Sequence, residues 1–178
     1  GIEVNMPFIR NVYLVVSHPS QGPSWVDTEN LKIVLHKDII PQEYLPTFNC
    51  NPIEMHLHRI EGLDEEYLYF NDDLFPLSPC EPTDFFRNGK GVLGFSRHFL
   101  TSGMYKKICR NSDNHARKAL GMSSSFRFIR PQHTCTAMFR SECESLYEIL
   151  KDDILASLTR TRTEKNLNQY LFLDYQYY

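Results

Sequence analysis

Residues 11–17 read Asn-Val-Tyr-Leu-Val-Val-Ser, an almost unbroken run of β-branched and aromatic side chains that stops at the turn-rich segment His18-Pro-Ser-Gln-Gly-Pro23. A run this short and this apolar predicts a strand covered on both faces. Two more follow: Leu31–Leu35 ends at His36-Lys37-Asp38, and Tyr67–Phe70 ends at Asn71-Asp72-Asp73. Buried strands that each end in polar residues predict an α/β fold, with a mainly parallel sheet flanked by helices.

Between the second and third runs, Asn51-Pro52-Ile53-Glu54 has the grammar of a helix start, with Asn51 as N-cap, Pro52 at the first helical position and Glu54 reaching back. Ile53, Leu57 and Ile60 fall on one face, and Gly62 closes the element. The strand, helix, strand order predicts a right-handed crossover within one sheet. Further short strands are expected at Gly91–Ser96 and Phe126–Ile129, and a helix around Asn114–Leu120. A long helix is expected over Ala137–Leu158, where Met138, Cys143, Leu146, Leu150 and Ile154 recur near helical period. Thr161-Arg162-Thr163-Glu164 repeats the capping-box pattern and predicts a last, amphipathic helix with Leu167, Leu171, Tyr175 and Tyr178 on one stripe. No repeat or long linker divides the 178 residues, so the chain reads as a single domain, 1–178.

Composition removes several function classes. Lys+Arg 19 against Asp+Glu 22 leaves a net charge of -3, without the global positive excess that holds a nucleic acid polymer. No apolar stretch approaches the roughly 20 residues of a membrane-spanning helix. The five cysteines include no C-x-x-C pair, which argues against a zinc knuckle or a dense disulfide framework and predicts reduced thiols in a cytoplasmic protein. The chain opens on Gly1 with no signal-like segment, so its start reads as trimmed.

Asn71-Asp72-Asp73 is the most informative local feature, because open α/β sheets bind ligands beyond the carboxyl ends of their strands. Adjacent acids repel, and a hard divalent cation with a bound diphosphate would relieve that repulsion. The plainer alternative is a solvated turn, for which Asn and Asp are good formers. None of the seven histidines forms an i, i+4 zinc pair, and His56 and His58 lie two apart. His133, in the loop Pro131–Thr136, is a candidate general base, although a loop histidine is also commonly just solvated. Arg160 and Arg162 straddle Thr161 at the predicted helix entrance, where backbone N–H groups favour an anion; two ordinary surface arginines are the competing view. Gly89-Lys90-Gly91 lacks the spacing of a phosphate loop, and no nucleophile elbow, dinucleotide fingerprint or kinase signature is present.

Taken in order, Asp38-Ile-Ile-Pro-Gln-Glu-Tyr-Leu-Pro-Thr-Phe-Asn-Cys-Asn-Pro-Ile-Glu54, Leu57-His-Arg-Ile-Glu-Gly-Leu63, Tyr69-Phe-Asn-Asp-Asp73, Pro82-Thr-Asp-Phe-Phe86, the His133 loop and Arg162-Thr-Glu-Lys-Asn-Leu167 resemble the Stealth family of sugar-1-phosphate transferases. That family includes bacterial capsular polysaccharide phosphotransferases and is similar to the catalytic part of N-acetylglucosamine-1-phosphotransferase. The resemblance implies a fold similar to the GT-A-like nucleotide-sugar-binding fold. It implies transfer of a sugar-1-phosphate from a nucleotide diphosphate sugar to a glycan hydroxyl, with release of nucleoside monophosphate. Ordinary metal-dependent glycosyl transfer, or non-catalytic binding of a glycan or nucleotide sugar, are the alternative readings.

The same resemblance implies roles. Asn71, Asp72 and Asp73 would hold Mg²⁺ or Mn²⁺ or orient the diphosphate; His133 would take the acceptor proton; Arg162 would bind the transferred phosphate beside Arg160. Asn49, Asn51 and Glu54 would line or brace the sugar-nucleotide pocket, with Glu54 bracing because its carboxylate is used in capping. All are expected to converge on one pyrophosphate cavity. Cys135 stands where the family usually has Pro, and Cys50 where Ser is common. The family's opening strand and Arg-rich helix have no match before Asn11, so the chain is expected to be truncated at its N-terminus. A cytoplasmic protein at the inner face of the cell membrane, peripherally associated with a membrane assembly, is the implied setting.

Overall fold

A computed structural model describes residues 1–26 and 31–178. A single helical turn, α1 (Ile2–Asn5), precedes β1 (Val12–Val16), which pairs in parallel with β2 (Leu31–Leu35) in the register Val12↔Leu31 to Val16↔Leu35. The chain turns directly into α2 (His36–Ile39), where Asp38 accepts the Leu35 N–H at 2.9 Å. Next comes α3 (Cys50–Glu54), followed by a 3-10 turn, Leu57–Arg59. Gly62 then reverses the chain at φ +75, a conformation that glycine adopts without steric cost. Ile39, Ile40, Leu57 and Ile60 bury together beneath this region, with Tyr13, Val34 and Ile53 packed around them.

β3 (Glu66–Tyr69) is followed by a tight hairpin of β4 (Phe86–Arg87) and β5 (Lys90–Gly91). Its two turn residues, Asn88 and Gly89, both have positive φ (53 and 70), as the favoured two-residue hairpin turn requires. β6 (Phe95–His98) leads into α4 (Met104–Ala119), whose buried Ile108, Ser112 and Ala116 recur every fourth residue. β7 (Phe128–Pro131) pairs antiparallel with β6, and β8 (Thr136–Phe139) pairs antiparallel with β3. Two helices, α5 (Arg140–Ile149) and α6 (Lys151–Ser157), and finally α7 (Tyr170–Tyr177) complete the chain. The larger core joins Met138, Leu146, Tyr147, Ile154, Leu171 and Leu173 from these last elements. Tyr44 and Tyr69 pack against both cores.

The fold is mixed α/β, but the expected mainly parallel sheet is not what forms. Four two-stranded pairs are present among the described residues, and only β1–β2 is parallel. Polar residues at strand ends mark where a strand stops and carry no information on its partner's direction. The expected crossover from β2 to β3 within one sheet is also overturned, since the two strands lie in different pairs. The predicted helix over Ala137–Leu158 begins with a strand instead: Thr136–Phe139 is buried on every side chain, and Met138 matched the helical period by coincidence of spacing.

The cap of α3 is Asn49 rather than Asn51, its side chain accepting the Asn51 N–H at 3.2 Å. Thr161–Glu164 does not open a helix. Glu164 turns outward to Lys107, Asn166 accepts the Thr163 N–H at 2.7 Å, and α7 starts only at Tyr170. α7 packs against the body as an amphipathic helix should, but Tyr170–Asp174 are all buried, so its first half is covered on every side and not along one stripe alone.

Candidate active site

Tyr69 faces Thr136 at one end of the β3–β8 ladder. Because the pair is antiparallel, the chain leaves β3 beside the point where it enters β8, and residues 71–73 emerge next to residues 133–135. The result is direct contact: His133 Nε2 lies 3.2 and 3.3 Å from the two Asp73 carboxylate oxygens. With Nε2–H donated to the carboxylate, Nδ1 is left as the acceptor nitrogen of the neutral ring. The Asn71 carbonyl accepts the Leu74 N–H at 3.2 Å, closing a turn on which Asp72 and Asp73 are exposed. The solvated-turn reading is thus right about the backbone, while the imidazole gives the second acid a specific partner.

Behind this turn sits a buried carboxylate. Glu54 is 4 % exposed and accepts the Gln169 N–H at 3.1 Å and the Tyr69 hydroxyl at 3.4 Å. Turned with its nitrogen toward Glu54, the Gln169 amide adds two further bonds, of 2.9 and 2.6 Å. Burial pushes the Glu54 carboxyl above its ordinary range, against the pull of the Gln169 N–H, the Cys50 thiol, the Arg162 charge and the Tyr69 hydroxyl. Its carboxylate joins strand, helix and C-terminal segment, instead of the helix cap expected for it.

Arg160 and Arg162 are exposed on an irregular loop, not at a helix N-terminus, so the expected contribution of a helix end to anion binding is absent. Arg162 donates to Cys50 Sγ at 2.7 Å, and Arg160 donates to the Leu45 carbonyl at 3.4 Å. Burial and the neighbouring Glu54 charge push the Cys50 thiol up to about 11. The loop is pinned from below by Asn166, which is fully buried, donates to the Ser157 carbonyl and to Thr159 Oγ1, and accepts from Asn49 Nδ2 at 3.2 Å. Asn49 also donates to the Thr159 carbonyl at 3.2 Å, so its amide is spent on bracing. Asn51 differs: its Nδ2 is buried with no partner among the described residues, which leaves one amide donor uncommitted.

The structure therefore joins Asp73 to His133, Arg162 to Cys50, and Glu54 to Tyr69, the last residue of β3. His133, Asp73 and Arg162 are each exposed to solvent, and among the described residues no hydrogen bond or ion pair joins Arg162 to the His133–Asp73 pair. The two cavities described in the structure, of about 550 and 440 Å³, are lined by other residues, so the expected enclosed pyrophosphate cavity is not among them. Among the described residues no group of three His, Cys, Asp or Glu is arranged to hold a metal ion. Asp72 and Asp73 can nonetheless serve a cation that draws its remaining ligands from phosphate oxygens and water, because each exposed carboxylate keeps free lone pairs.

Tyr69, Asn166 and Gln169 were not singled out from sequence. The cluster Asn166-Leu167-Asn168-Gln169, three carboxamides around a buried leucine, is the signal that could have found two of them. His56 and His58 take no part. They pack on the Tyr147 ring at 5.3 and 5.0 Å between centroids, and burial first, then nearby Arg59, holds them down at about 4 and about 3.

The sequence model of a family described as Stealth protein CR2, conserved region 2, matches residues 1–93. The chain is 49% identical over 88 residues to a receptor polysaccharide phosphotransferase, WefC, of Streptococcus oralis, covering 48% of this chain and 26% of that protein. It is 33% identical over 170 residues to the capsular polysaccharide phosphotransferase LcbA of Aeromonas hydrophila, covering 92% and 47%. It is also 33% identical over 180 residues to the capsular polysaccharide phosphotransferase fcs1 of Haemophilus influenzae, covering 94% and 48%. The chain spans between about a quarter and about half the length of these relatives.

Proposed function

This chain belongs to the Stealth family, and on that premise we propose that it serves a phosphotransferase that moves a sugar-1-phosphate from a nucleotide diphosphate sugar onto a glycan hydroxyl, releasing nucleoside monophosphate, in the synthesis of capsular or other surface polysaccharide. The observation that carries the reading is the His133–Asp73 pair at 3.2 Å. Asp73 fixes the ring so that Nδ1 takes the hydroxyl proton as the acceptor oxygen attacks phosphorus, a role worth about 10²–10⁴ in rate. Arg162 supplies a planar, permanently charged donor for the phosphoryl oxygens on which negative charge gathers. Asn51, buried like Asn49 and Glu54, holds the surrounding loops with them.

Mg²⁺ or Mn²⁺ held by Asp72 and Asp73 would offset the diphosphate charge. The parallel β1–β2 pair supports a GT-A-like arrangement for the nucleotide, and the same reading puts the protein in the cytoplasm, near the membrane where surface glycans are built. No helix among the described residues is long and apolar enough to cross a membrane.

Incubating the full-length protein with nucleotide sugars, a glycan acceptor and Mg²⁺, and separating the nucleotides, tests the proposal. Monophosphate formed in step with acceptor extension supports it; diphosphate overturns it in favour of ordinary glycosyl transfer.

A further inference from the structure

Away from the His133 face, a cavity of about 550 Å³ lies between β6, β7, the end of α4 and the end of α7. That volume is within the usual range for a bound ligand, roughly 300–1,000 Å³. Its lining includes Arg97, Arg117 and Arg127 and the aromatic residues Phe99, Phe128 and Tyr177, and no Asp or Glu, although acids outnumber bases in the chain. Arg117 is already paired with Asp113 at 3.2 Å. Arg97 donates only to the Tyr177 hydroxyl at 3.1 Å, and among the described residues neither Arg97 nor Arg127 has a carboxylate partner. Burial first, and then the charges of nearby Arg130 and Lys106, lowers the pKa of His98 at the same place.

The cavity is joined to the proposed site by one strand. β7 runs from Phe128 to Pro131 and continues to His133, and five extended residues span at most about 17 Å. Every sugar-1-phosphate added to a glycan leaves a phosphodiester, so an acceptor that has been extended before is a polyanion. Resting on the phosphotransferase reading, we propose that this cavity binds the phosphodiester-linked glycan acceptor, with Arg97 and Arg127 on a phosphodiester group and the Phe99 and Tyr177 rings against sugar faces.

The test is calorimetric titration of the full-length protein, at low salt, with a phosphodiester-linked oligosaccharide and with the same oligosaccharide stripped of phosphate. Wild type should prefer the anionic form by about tenfold or more, and Arg97→Gln/Arg127→Gln should lose that preference while its KM for the donor stays unchanged. Arg127→Gln alone, at an exposed side chain, should show part of the same loss and serves if the double variant does not fold. Equal affinity of wild type and variants for the anionic oligosaccharide would overturn the proposal. Binding is read without turnover, so the two ideas fail separately. A protein that binds through these arginines but releases nucleoside diphosphate keeps the cavity and loses the phosphotransferase reading, whereas monophosphate release with unchanged binding in the variants loses the cavity alone.

Discussion

The His133 imidazole and the Asp73 carboxylate, separated by 60 residues of chain, meet at 3.2 Å because β3 and β8 run antiparallel and end side by side. Their side chains are 51% and 66% exposed, so water screens the attraction and the pair contributes at most about 1 kcal/mol to stability. On the proposed mechanism, what the contact supplies is an orientation for the ring, with Nε2–H toward the carboxylate.

His133→Ala should therefore lower kcat by about 10²–10⁴ while shifting unfolding free energy by no more than about 1 kcal/mol. Asp73→Asn should also reduce kcat, since an amide can turn either its oxygen or its N–H toward Nε2 and no longer selects one tautomer. Steady-state kinetics beside urea denaturation separates the two effects.

Arg162→Lys keeps the charge and loses the planar fork, and turnover should fall by at least about tenfold. Cys50, held as a thiol at about 11, should resist alkylation by iodoacetamide at neutral pH. Mass spectrometry of the treated protein checks this directly.

Asn166→Ala removes bonds to the Ser157 carbonyl, Thr159 and the Thr163 N–H at once. Leaving such buried groups unpaired should cost about 1–3 kcal/mol in urea unfolding. The same variant should lose turnover, because the Arg162 loop is released.

The buried histidines give a pH dependence of definite sign. An unfolded imidazole takes up its proton near 6.5, whereas His56 and His58 resist it down to about 4 and about 3. The unfolded chain thus binds more protons through this window, and stability must fall as pH drops below about 6.5. His58→Gln should flatten that acid-side fall. Glu54 acts in the opposite sense: its raised carboxyl makes the folded chain the better proton binder, so its contribution declines as pH rises above 4.5. Urea midpoints measured across pH for wild type, His58→Gln and Glu54→Gln should show both trends.

Strands whose signal is local were readable: Val12–Val16 and Leu31–Leu35 are apolar runs closed by turns, and both formed where expected. Thr136–Phe139 was not, because its strand character comes from pairing with Glu66–Tyr69 far upstream. The capping box at Thr161–Glu164 failed for a similar reason, as Lys107 and Asn166 draw its polar groups into tertiary contacts. At the site, Asp73 and His133 could be named from sequence, since acids after a strand and a loop histidine stand out by themselves. Tyr69 and Gln169 acquire their place only when α3 and the segment before α7 enclose Glu54.

The central claim is that the bond broken joins the donor's two phosphorus atoms through oxygen, and a donor radiolabelled at its sugar-bearing phosphorus tests it most directly. Full-length protein given that nucleotide sugar and a glycan acceptor should move the label into the glycan, in a linkage that phosphodiester cleavage releases. Label found only in nucleoside diphosphate, with an unlabelled extended glycan, would contradict the account.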